Sequence, residues 1–165
     1  MAPLPSTRPA MLLSPLASLA TAPVFGASPC ESLTALKLQS SVITLAEPVA
    51  AGAFTQPGPA GAKGKQNAAF RGLPAFCRVA ATLTPSSDSE IKIEVWLPES
   101  GWNGNLQSVG NGAWAGTISY PAMATALAAG YATASTDTGH TGGNPATFVP
   151  GHPEKLIDFA YRAVH

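Results

Sequence analysis

The alternation of apolar and polar positions is sharpest between residues 76 and 97. Phe76 to Leu83 is a dense run that includes Phe76, Val79, Thr82 and Leu83, and the turn Thr84-Pro85-Ser86-Ser87-Asp88-Ser89 closes it. From Glu90 to Leu97 the residues alternate, with Ile91, Ile93 and Val95 on one face and Lys92, Glu94 and Trp96 on the other. A period of two predicts a half-exposed strand, and the turn makes it the antiparallel partner of the strand before it. Another strand is predicted within Leu38–Val49, where Val42, Thr44 and Leu45 are the β-formers. Between them, Ala50 to Gly72 holds Pro57-Gly58-Pro59, Gly61 and Gly64 and reads as a linker-like loop.

After Gly104 the pattern changes. Leu106–Val109 reads as a short strand of the buried type, and Gly110-Asn111-Gly112-Ala113-Trp114-Ala115-Gly116 follows it. Pro121–Ala129 is predicted as a helix capped by Ser119 and ended by Gly130. Tyr131–Ser135 is the next short strand, and Asp137-Thr138-Gly139-His140-Thr141-Gly142-Gly143 the next loop. Pro153 opens a last helix with Leu156, Ile157, Ala160 and Val164 along one side, and no glycine, asparagine or proline stops it. A hairpin followed by strand–helix–strand–helix predicts the α/β class, with a mixed sheet whose parallel part is only beginning. An amphipathic helix needs a sheet to lie on, and much of that sheet is expected outside this sequence.

Composition narrows the class. The 165 residues permit one domain or part of a larger one. Charged residues are 11% of the chain, against roughly 25% in an average soluble protein. Lys plus Arg equals Asp plus Glu, nine of each, so no net field recommends nucleic acid or an anionic membrane as partner. No apolar run reaches the ~18 residues of a membrane span. Residues 1–26 have the layout of an export signal: Arg8, then a mostly apolar Met11–Phe25, with cleavage after Ala20 or Gly26. Export would place residues 27–165 in a secreted or periplasmic setting. There the even count, Cys30 and Cys77, suggests a bridge from the N-terminal tail to a strand; two unrelated thiols is the alternative. Neither cysteine has a close Cys or His neighbour, so no metal site is expected.

A glycine-rich strand-to-helix turn brings backbone N–H groups close to a bound atom, which suits a phosphate or an oxyanion. Gly110, Gly112 and Gly116 give G-x-G-x-x-x-G rather than the dinucleotide fingerprint G-x-G-x-x-G. Two readings remain, a tight turn needing positive φ and an oxyanion loop of the α/β-hydrolase kind. Ser108 and Ser135 lie on the two short strands, and neither is flanked by glycine at both −2 and +2, so neither forms a nucleophile elbow.

Several ordered motifs together resemble the tannase/feruloyl esterase family. They are Leu73-Pro74-Ala75-Phe76-Cys77-Arg78-Val79, Leu97-Pro98, Gly101-Trp102-Asn103-Gly104, the turn Gly110–Gly116, Tyr131–His140 and Gly151-His152-Pro153-Glu154-Lys155-Leu156-Ile157-Asp158-Phe159. The resemblance spans nearly all of Cys30–His165. It implies the N-terminal part of an α/β-hydrolase fold, incomplete in this chain, with a mixed and mostly parallel sheet overall. It further implies a secreted serine hydrolase cleaving small aromatic esters (feruloyl, galloyl or related) through an acyl-enzyme. Members use a Ser-Asp-His triad, with the serine in a Cys-Ser-x-Gly-Gly turn, and a later lid domain that binds calcium. None of those motifs occurs here, so the sequence reads as an N-terminal fragment without its nucleophile, acid, base and lid, and inactive alone.

The site residues that remain are Gly110, Asn111 and Gly112, candidates for the oxyanion donor and its supporting turn. Ala113 stands where the family usually shows glycine, which makes its φ the test of the turn. Trp114 and His140 are candidates for substrate contact, set against a core role for Trp114 and loop architecture for His140, which the residue types favour. Asp137 is expected to bind local backbone N–H groups, His152 to open the last helix, and Lys155 and Asp158 to be solvated. Trp102 could likewise flank an aromatic substrate, but a core role is the favoured expectation. The alternative is a secreted non-catalytic module binding carbohydrate or phenolic ligands.

Overall fold

The computed structural model describes residues 29–58, 67–143 and 146–165; the expected leader, 1–26, and most of the glycine/proline stretch at 57–64 lie outside them. Five strands form one mixed sheet: β1 Ser41–Val49, β2 Phe76–Leu83, β3 Ile91–Pro98, β4 Leu106–Val109 and β5 Ala132–Thr136, in the order β1-β2-β3-β5-β4. β2 and β3 form the expected hairpin, from Phe76↔Pro98 to Leu83↔Ile91. β1 joins β2 antiparallel, and β5 joins β3 antiparallel. β4 pairs with β5 in parallel, from Leu106↔Ala132 to Val109↔Ser135. The connection between them carries helix α1, Tyr120–Ala128. Hairpin first and crossover afterwards is the order the sequence announced.

Gly130 ends α1 at φ 84, and a Cβ there would stand 2.9 Å from the Gly101 carbonyl oxygen, so both conformation and space require glycine. Ser119 sits at the cap position, but its side chain makes no capping bond; its N–H donates instead to Ser135 Oγ at 3.1 Å.

The main core lies between α1 and one face of the sheet and gathers Phe54, Phe70, Leu73, Phe76, Trp96, Met123, Ala124 and Leu127. Phe54 and Phe70 correct the linker reading of Ala50–Gly72. They meet edge-on at 4.9 Å, and the 3-10 turn Ala68–Phe70 that presents Phe70 is capped by Asn67 Oδ1, which accepts the Ala69 N–H. Glycine and proline give that segment its loop-like look, while its two phenylalanines, which show no period, decide its packing.

β3 is also turned differently from its pattern. Trp96 and Glu94 face the main core and are buried, whereas on the other face Ile91 is fully buried and Ile93 and Val95 are half-buried. A buried carboxylate needs compensation. Arg78 supplies it, donating from Nε to both Glu94 oxygens at 3.1 and 3.0 Å and from Nη2 to Oε1. Trp96 Nε1 and Tyr120 Oη donate to the same carboxylate at 3.0 and 3.2 Å. Burial and the Glu94 charge push the Tyr120 phenol up from its usual value.

Two further expectations change. β4 is exposed at Leu106, Gln107 and Ser108, because it is the edge strand of the described sheet. The last helix is α-helical only over α2, Pro153–Ile157, and continues as a π-helical turn, Asp158–Arg162. Its apolar stripe, Leu156, Ile157, Ala160 and Val164, is exposed. The opposite side packs: Asp158 is fully buried, not solvated, and accepts from Ser89 Oγ and Arg162 Nη1 at 3.0 Å each. The Cys30–Cys77 bridge is present, with Cα atoms 5.6 Å apart, and ties the 3-10 turn Cys30–Ala35 to β2.

Candidate functional site

β4 and β5 run parallel, so their C-terminal ends open on the same side. In open α/β sheets that is where ligands bind. Two loops emerge there, the turn Gly110–Gly116 after β4 and the loop starting at Asp137 after β5. They are pinned to each other at three points. Asn111 Nδ2 donates to the Thr136 carbonyl at 2.9 Å. His140 Nε2 lies 2.9 Å from the Trp114 carbonyl oxygen. Gly116 N–H donates to the Gly142 carbonyl at 2.8 Å.

The close approach explains Gly116. A Cβ there would lie 2.4 Å from the His140 carbonyl oxygen, a distance no side chain tolerates. Within the turn, the Ala115 N–H donates to the Gly112 carbonyl at 3.1 Å, and Ala113 takes φ 49. That is the left-handed conformation glycine adopts freely and alanine does not.

Among the described residues, no hydrogen bond is made by the backbone N–H of Asn111, Gly112 or Ala113. Gly112 and Ala113 are exposed and Asn111 is half-buried. Gly110 lines an apolar cavity of about 300 Å³ with Ile93, Val95, Val109, Ala134 and Val164, on the sheet face away from α1. Asn111 and Gly112 stand outside that lining.

Asp137 is buried and acts as expected on local backbone: its Oδ1 accepts the N–H of Lys92 and of Gly139, each at 2.9 Å. Burial pushes its carboxyl above the usual range, and those two N–H bonds pull it partly back. His140 is buried too. Its ring stacks on Phe148 with centroids 3.7 Å apart, and its Nδ1 lies 3.3 Å from Thr138 Oγ1. Trp114, half-buried, packs its ring against Phe159 at 4.8 Å. The two candidate contact residues therefore meet through the Nε2–carbonyl pair. Beside them, Lys92, Asp137, His140, Thr141, His152 and Lys155 line a polar cavity of about 370 Å³.

His152 does stand at the helix opening, and its Nδ1 pairs with Asp88 at 3.0 Å. Trp102 is 60% exposed, with Nε1 donating to the Asn105 carbonyl, so the core role expected of it falls to Trp96. Ser108 is exposed, and Ser135 is buried with its oxygen engaged by Ser119. Among the described residues no serine hydroxyl bonds a histidine ring, and no three His, Cys, Asp or Glu side chains converge to hold a metal ion. Sequence reasoning missed the Asn111 side chain and the Gly116–His140 approach. Neither leaves a local signal, because each joins segments about two dozen residues apart.

A model of the tannase and feruloyl esterase family matches residues 77–165. An uncharacterized esterase of Xanthomonas campestris is 46% identical over 136 residues, which cover 82% of this chain and 22% of that protein. A probable feruloyl esterase B-1 of Aspergillus oryzae is 46% identical over 91 residues, 55% of this chain and 16% of the relative. Among solved structures, feruloyl esterase B from Aspergillus oryzae superposes with a TM-score of 0.66 at 36% identity, covering 82% of this chain and 26% of that one. An esterase from the same organism gives 0.66 at 29% identity, with 82% and 27% covered. The chain thus spans about a fifth of the length of the curated relatives it matches.

Proposed function

Because this chain belongs to the tannase and feruloyl esterase family, we propose that it forms the oxyanion-binding wall of a secreted serine ester hydrolase acting on small aromatic esters. The observation that carries the reading is the set of backbone N–H groups at Asn111, Gly112 and Ala113. They follow a parallel strand, and no described acceptor engages them. Developing negative charge on a carbonyl oxygen is stabilised by N–H groups fixed before the reaction begins. The pinning of the turn to the loop after β5 supplies that fixity.

In this reading the attacking serine, its histidine and its carboxylate come from chain outside this sequence. Serine forms an acyl-enzyme and water releases it, with the turn holding the oxyanion in both halves of the reaction. Trp114, within the turn, offers an aromatic surface for the acyl or alcohol group. The Cys30–Cys77 bridge supports an oxidising, extracellular or periplasmic setting.

The test is hydrolysis of methyl ferulate and methyl gallate by the full-length protein and by its Gly112→Pro variant, which lacks one backbone N–H, and its Asn111→Pro variant, which lacks a backbone N–H and the side-chain bond to Thr136. Removing the donor is expected to lower kcat by about 100-fold or more, as the loss of one oxyanion donor does elsewhere. Wild-type kcat in both variants would reject the oxyanion role, and no turnover of either ester by the unsubstituted protein would reject the substrate class.

A further inference from the structure

The closer contact of the His140 ring is at Nε2; beside Nδ1, the Thr138 hydroxyl spends its hydrogen on the Asp137 carbonyl at 2.6 Å. Nε2 faces the Trp114 carbonyl at 2.9 Å and Nδ1 faces Thr138 Oγ1 at 3.3 Å. The ring is buried, lies flat on Phe148 and meets Phe159 edge-on at 5.7 Å. A carbonyl oxygen can only accept, so Nε2 must carry the hydrogen. Its acceptor belongs to the residue immediately after Ala113, the left-handed residue of the turn. An alanine at φ 49 holds only where its surroundings over-determine it. The Trp114 carbonyl is the point of the turn next to that strained residue, and it is held from the opposite loop.

We propose that His140 is a positioning residue for the oxyanion turn: its Nε2–H holds the Trp114 carbonyl and so aims the N–H groups of Asn111 and Gly112. This role rests on the esterase reading of the turn. The other two pins, Asn111 to Thr136 and Gly116 to Gly142, close the ends of the turn; the His140 bond fixes its middle. A ring locked by stacking loses little further freedom in making that bond, which suits it to hold geometry rather than to meet substrate.

Two substitutions in the full-length protein separate donor from packing. His140→Phe keeps a ring for Phe148 and removes the donor. His140→Gln removes the ring and places an amide N–H where Nε2 stood, the same number of bonds from Cβ. With the donor gone, His140→Phe is expected to lower kcat on methyl ferulate about 10- to 100-fold with KM nearly unchanged, the signature of a misaimed transition-state contact. His140→Gln is expected to restore most of that loss.

Wild-type kcat in His140→Phe would overturn the proposal, as would equal losses in the two variants. If Asn111→Pro and Gly112→Pro abolish turnover while His140→Phe does not, the positioning role fails and the esterase reading stands. If the proline variants are as active as wild type, the esterase reading of the turn fails first. Should either histidine variant not fold, a long-range 1H–15N spectrum of the unsubstituted protein decides, with His140 assigned through its contact to Phe148. Protonated Nε2 is expected, and a neutral ring protonated at Nδ1 overturns the proposal.

Discussion

At the scale of single residues, the candidate site depends on backbone conformations that side chains on the opposite loop enforce. Ala113 sits at φ 49, where its Cβ crowds the backbone, and Gly116 lies where a Cβ would strike the His140 carbonyl. Ala113→Gly is expected to raise the stability of the full-length protein by about 1 kcal/mol, the left-handed penalty of an L-residue, seen as a higher Tm. An unchanged or lower Tm would mean that the extra freedom glycine brings to the unfolded chain outweighs the relieved strain. The family resemblance put that φ in question, because glycine usually stands at this position. That His140 serves the architecture of its loop was legible; which turn it holds was not. Its Trp114 partner is found only when the loop after β5 is laid beside the turn after β4. The same holds for Glu94, which its strand's period placed on a polar face and which Arg78, Trp96 and Tyr120 make tolerable in the core.

At the scale of elements, local chemistry was a good guide where one element decides its own fate. The hairpin of β2 and β3, the helix α1 with Gly130 at its end, and the strand after it all form close to where the pattern puts them. The stripe of the final helix misled. Its apolar residues face outward because Asp158 and Phe159 supply the packing contacts on the other side. Cys30–Cys77 is an element-scale device, holding the chain before β1 against β2 over a sequence separation of 47. On the chain-entropy model, closing such a loop contributes about 4 kcal/mol. Cys30→Ala in the full-length protein is therefore expected to lower Tm by several degrees while kcat stays near wild type, since the bridge is remote from the glycine turn. A large loss of kcat at a temperature where the variant is still folded would tie the bridge to the site.

At the scale of the whole molecule, the described sheet ends on β4, whose Leu106 is 61% exposed, and its far face carries half-buried Ile93 and Val95. Leu156, Ile157 and Val164 add exposed apolar surface from the last helix. An unpaired edge beside an apolar face is a surface that invites association. The 165-residue chain on its own is expected to bind a hydrophobic dye such as ANS strongly and to melt without a sharp transition. A cooperative melt with little dye binding would show that the described core suffices.

The sequence by itself determined the class of the fold, the order of its elements, the pairing arithmetic of its two cysteines and the place of the glycine turn. These follow from period, turn chemistry and composition, all of which act over a few residues. Tertiary structure alone decided which face of β3 is the core, which side of the last helix packs, and how the turn is held. Each of those depends on partners far apart in the chain. A buried charge or a strained φ is tolerated only if the fold delivers compensation from elsewhere, and no local pattern records where it comes from.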